Sequence, residues 1–130
     1  MARSLLTDST LIADVTHYVR CCHGGQTLRG SMGPPSPVTP AHMLAGIGRT
    51  AIEAVDSYGL DVGRFSALMR LARYRVCCAR AAARDGRPSA ARCRVVEEAA
   101  LSDLGHAIVE DLRDHAATSR CHLHEAAPAA

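Results

Sequence analysis

The 130-residue sequence has no tryptophan, one phenylalanine and three tyrosines. A core without large rings is filled by small aliphatic side chains, and 23 residues are alanine. Helices pack closely on such side chains, whereas strands draw on β-branched and aromatic residues, so the composition argues against an all-β fold. Lysine and asparagine are also absent, which leaves arginine as the sole source of the 15 basic residues. GC-rich coding disfavours the A-rich codons of both. Arginine also makes bidentate contacts with phosphate and carboxylate that lysine does not. No run approaches the roughly 20 apolar residues of a membrane span. The opening Met1 to Asp8 holds no apolar stretch of a secretory signal. The expectation is a soluble cytoplasmic chain, with no membrane partner, of one-domain size.

Recognisable catalytic motifs are missing too. There is no glycine-rich phosphate loop, no G-x-S-x-G and no H-E-x-x-H. Glu97 and Glu98 are adjacent and diverge on a helix. His106 and Glu110, four apart, read as a surface helix contact. The expectation is a protein that is not an enzyme.

What is present is helical periodicity. Leu11, Ile12, Val15, Val19 and Cys22 share one face of a first helix near 9–22, opened by Asp8 or Ser9. Residues 24–39 hold four glycines and three prolines and read as a long loop. Thr39 as N-cap and Pro40 at the first helical position open a second helix near 40–58, ended by Gly59. Met43, Leu44, Ile47, Ala51, Val55 and Tyr58 line its apolar face. A third helix near 62–84 opens at Asp61. Its seam is Phe65, Met69, Ala72, Val76, Ala79 and Ala83, spaced alternately four and three. A fourth near 89–117 carries Val95, Val96, Ala99, Leu101, Leu104, Ile108 and Leu112, with Ser102 and Gly105 as points of interruption. The pattern predicts an all-α, four-helix antiparallel bundle. It comprises one helical domain over 1–117 and a flexible C-terminal tail over 118–130.

Charge is unevenly spread. Residues 64–94 carry nine arginines against one acid, Asp85, a net +8, while residues 95–130 carry a net −5. Arg70, Arg73, Arg80, Arg84 and Arg87 fall along one stripe of the third helix, with Arg92 and Arg94 following in the fourth. One reading is a solvated face neutralised by Glu97, Glu98, Glu110, Asp111 and Asp114. The other is a surface for a polyanion, with nucleic acid or an acidic protein as partner. Alanine-rich helical seams also pair between chains, so a homodimer belongs among the expected partners.

Six cysteines and seven histidines remain. No C-x-x-C spacing occurs. Cysteine is among the most buried residue types, so core packing is the first expectation. The alternative is a metal-binding or thiol-based sensor. An up-down-up-down course brings Cys22, His42, Cys78 and Cys93 to one end of the bundle, a Cys₃His set suited to zinc.

Overall fold

The structure, a computed structural model, describes the backbone over residues 3–28 and 39–126 and the side chains over 3–22 and 39–115. It is all-α. Four helices follow in order: α1 (Ser9–Leu28), α2 (Pro40–Tyr58), α3 (Ser66–Arg84) and α4 (Ala90–Ala126). They pack against one another as a bundle, most extensively α2 and α3 on α4, with α1 against α2. Short 3-10 turns, Leu5–Thr7 and Gly63–Phe65, precede α1 and α3.

Local chemistry sets the helix starts. Asp8 caps α1, its buried carboxylate accepting from the Leu11 N–H at 3.0 Å. Thr39 caps α2, its hydroxyl accepting from the His42 N–H at 3.2 Å, with Pro40 behind it. The Asp61 carboxylate accepts from the Gly63 N–H at 3.2 Å, so the third helical run begins in a 3-10 turn and becomes α-helical at Ser66. A short parallel bridge fastens this corner: the Leu5 N–H donates to Asp61 O at 2.9 Å and the Asp61 N–H to Arg3 O at 2.7 Å.

The α3–α4 turn is a Schellman closure. The Arg87 N–H donates to Ala82 O at 3.0 Å and the Gly86 N–H to Ala83 O at 3.2 Å, with Gly86 at φ +65°. An L side chain is strained at that φ, which is why glycine stands there.

Two helix C-termini differ from the sequence reading. α1 does not stop at Gly24-Gly25 but runs to Leu28. Glycine costs a helix only about 1 kcal/mol and does not forbid it. Residues 29–38 of the expected loop lie outside the described residues. α4 is continuous through Ser102 and Gly105 and extends to Ala126, across most of the expected tail. No glycine or proline interrupts it between Gly105 and its end. Residues 127–130 also lie outside the described residues.

The core joins all four helices. Leu11 and Val15 of α1, Ile47 and Ala51 of α2, Phe65, Met69 and Ala72 at and within α3, and Leu101, Leu104 and Ile108 of α4 are buried together. Ala79 and Ala82 are buried beyond that cluster, so the seam ends on Ala82 rather than on the exposed Ala83. Two glycines decide how α2 meets α4. A Cβ on Gly48 would collide with the Leu101 carbonyl, and one on Gly105 with the Leu44 carbonyl. The two backbones therefore touch where Gly48 and Gly105 leave room. Ser102 Oγ donates to Ala41 O at 2.5 Å beside this crossing.

Candidate anion-binding face

The arginines of α3 follow from its amphipathic register. Met69, Ala72, Ala79 and Ala82 are buried. At 100° per residue Arg70, Arg73, Arg80 and Arg84 fall within an arc of about 80° at the margin of that seam. All but the half-buried Arg73 are exposed. Arg73 is the one that is tied down, 2.6 Å from the Asp56 carboxylate of α2. Arg87 pairs only with Asp85 of its own turn, at 3.5 Å. Arg92 and Arg94 are exposed on the first turns of α4.

Four acids of α4 pair elsewhere than on this stripe. Glu97 pairs with Arg49 of α2 at 3.5 Å, and Glu98 with His42 of α2 at 3.1 Å. Asp111 pairs with Arg64, ahead of α3, at 3.1 Å, and Glu110 with His106 of its own helix at 3.2 Å. Among the described residues, no carboxylate lies within ion-pair distance of Arg70, Arg80, Arg84, Arg92 or Arg94. The reason is positional: Glu97 and Glu98 flank the face of α4 that meets α2, not the one that meets α3.

The sequence-predicted arginines do not form one surface. Arg92 lies in a cleft between α3 and α4, which it lines together with Arg75, Cys78, Cys93 and Val96. This cleft is on the flank of α3 opposite Arg73, Arg80 and Arg84. Arg75 was not among the predicted residues. Its guanidinium stands 5.5 Å from the centre of the Tyr74 ring. The signal was present as Arg75 and Cys78 three residues apart, but only the packing of α4 turned that pair into a wall.

The five described cysteines are not core filler. Cys21, Cys22 and Cys77 are exposed, and Cys78 and Cys93 are half-buried. Alanine fills the tight α3–α4 seam in their place. The predicted Cys22, His42, Cys78 and Cys93 set does not converge, and among the described residues no three histidine, cysteine or acidic side chains stand together as a metal group. Among the described residues of this set, Cys78 and Cys93 alone share a site. His42 faces Glu98. Cys22 lies beside Tyr18, whose phenol is pushed up first by burial and then by its contact with Cys22, while the charge of Arg113 pulls it back. Arg113 is twenty residues along α4 from Cys93, about 30 Å of helix. The expected pole fails because the Cys22 end of α1 lies toward Arg113, far along α4 from Cys93.

The Arg73 pair has a titration signature. The hydrogen bond from Arg73 holds the Asp56 carboxyl below its ordinary value, against a small opposing effect of burial. Its stabilisation is therefore present above the ordinary carboxylate range and fades as pH falls through the lowered folded value. Asp56 is exposed and Arg73 only half-buried, so the pair belongs among those worth roughly 0.2–1 kcal/mol. Arg73→Gln is expected to raise the Asp56 midpoint toward that of a free side chain, as read by NMR titration of its carboxyl carbon. An unmoved midpoint would show that the pair does not form in solution.

Comparison with protein-family models, with curated proteins and with solved structures finds no match to this chain.

Proposed function

We propose that this chain is a non-catalytic helical binding protein that takes a polyanion on the solvent face of α3. The carrying observation is that Arg70, Arg80 and Arg84 stand exposed in one arc with no carboxylate partner among the described residues, although seven acids follow residue 94 in the sequence. Intramolecular neutralisation would remove the favourable field, and among the described residues no carboxylate pairs with these side chains. An arc of guanidinium groups suits a row of phosphates or sulfates, each contact releasing a condensed counterion. Tyr74 is the exposed aromatic on this helix, so the reading relies on backbone charge rather than base stacking.

Binding to duplex DNA and to heparin at about 50 mM salt is the test. Three to five phosphate contacts give a slope of log affinity against log salt of about −3 to −5. Reversal of Arg70, Arg80 and Arg84 to Glu is expected to abolish binding and leave the circular dichroism spectrum unchanged. Absence of binding by the unaltered chain at that salt overturns the polyanion reading and passes the lead to an acidic protein partner.

A further inference from the structure

We propose that the α3–α4 cleft is a thiol–disulfide exchange site for a small anionic disulfide, with Cys78 and Cys93 as the reacting pair and Arg75 and Arg92 holding the anion. The cleft encloses roughly 200 Å³. Its walls are two thiols, two guanidinium groups and the aliphatic Val96, with no carboxylate among them. Both thiols are free and half-buried, whereas Cys21, Cys22 and Cys77 are exposed and line no part of it. Cys77 adjoins Cys78 in sequence but is turned about 100° away on the helix.

Three features build the site. The Schellman turn at Gly86 closes α3 onto α4 and brings two residues fifteen apart in sequence to facing walls. Arg92 has no ion-pair partner among the described residues, and the Arg75 guanidinium rests over Tyr74, so the cleft keeps a net positive field that draws anions. Tyr74 stands one helical turn before Cys78, and the neighbouring thiol holds its phenol above its ordinary value.

The exchange balances without a further reagent. The Cys78 thiolate attacks one sulfur of R–S–S–R, forming Cys78–S–S–R and expelling R–S⁻, which takes up the proton the Cys78 thiol has released. The Cys93 thiolate then attacks the Cys78 sulfur of the mixed disulfide. This expels the second R–S⁻, protonated at the expense of the Cys93 thiol, and leaves a Cys78–Cys93 disulfide. Two electrons pass from the protein dithiol to the external disulfide, which is reduced to two thiols. None of this rests on the polyanion reading, since Arg70, Arg80 and Arg84 take no part.

The test uses the reduced full chain at low salt, treated separately with glutathione disulfide, which carries several carboxylates, and with the neutral bis(2-hydroxyethyl) disulfide. Intact mass and non-reducing peptide maps are expected to show a product lighter by two hydrogens with Cys78 joined to Cys93. Cys93→Ser, with Cys93→Ala as a second variant, is expected to arrest the reaction as a mixed disulfide on Cys78. Arg75→Gln with Arg92→Gln is expected to slow the anionic reagent about tenfold, the combined worth of two partly exposed charge contacts, and to leave the neutral reagent unchanged. Adducts spread over Cys21, Cys22 and Cys77, with none joining Cys78 to Cys93, overturn the exchange site. Equal slowing of both reagents, or no slowing of either, overturns the role of the arginines.

Discussion

Alanine at Gly48 or at Gly105 is expected to destabilise the protein by about 3 kcal/mol, the upper part of the range for overpacking a tight contact. Each added Cβ would meet backbone: the Leu101 carbonyl at Gly48 and the Leu44 carbonyl at Gly105. A backbone carbonyl cannot swing aside as a flexible side chain does, so α2 and α4 must separate. That separation loosens the contact between Ile47 and Ala51 on one side and Leu101, Leu104 and Ile108 on the other. The helix-propensity gain of alanine over glycine, about 1 kcal/mol, opposes the loss and does not cover it. Gly46 supplies the control. It sits in the same helix, exposed, with nothing within 4 Å of its added Cβ. Gly46→Ala is expected to stabilise by up to about 1 kcal/mol. Thermal melts of the three variants decide it. Equal midpoints for Gly46→Ala and Gly48→Ala would mean that the two helices are not in backbone contact.

Met69→Asp is expected to unfold most of the population at room temperature. Met69 is 3% exposed, in the cluster that holds Phe65, Leu104 and Ile108. The substitution removes a buried side chain, worth about 2–5 kcal/mol. It also leaves a carboxyl with no built-in partner, which must ionise in an apolar site or remain protonated at further cost. The sum, more than about 4 kcal/mol, is comparable with the whole stability of an ordinary domain, about 5–15 kcal/mol. Arg70→Asp one position along introduces the same side chain on the exposed arc, and is expected to shift stability by no more than about 0.5 kcal/mol. Urea titrations followed at 222 nm distinguish the pair. A Met69→Asp midpoint equal to that of Arg70→Asp would mean that the α3 seam is not buried.

The two sets of variants probe different faces of one arrangement. α4 is the element that α2 and α3 both rest upon, so its register fixes what each neighbour can present. Glu97 and Glu98 are spent on Arg49 and His42 because they flank the α2 contact. Among the described residues Arg70, Arg80 and Arg84 consequently have no carboxylate within ion-pair distance. On the other flank of α3, the same packing makes Cys78 and Cys93 neighbours and separates both from Cys22.

What the sequence determined by itself is the local part. Period, caps and breakers placed four helices, named Asp8 or Ser9, Thr39 and Gly59 at their ends, and put Phe65, Met69, Ala72 and Ala79 on one seam. Those features depend on neighbours within a few residues. The sequence also located the arginine stripe, since helical spacing alone puts Arg70, Arg73, Arg80 and Arg84 together. Tertiary structure decided what stands opposite each side chain. Which acid of α4 meets Arg49 or His42 and why Gly48 and Gly105 are glycine depend on the direction in which α2 crosses α4, and which cysteines share a cleft depends on how α3 folds back onto α4. Nothing within either helix encodes that direction legibly. It emerges from two backbones that approach closely where one of the two lacks a Cβ, Gly48 against Leu101 and Gly105 against Leu44.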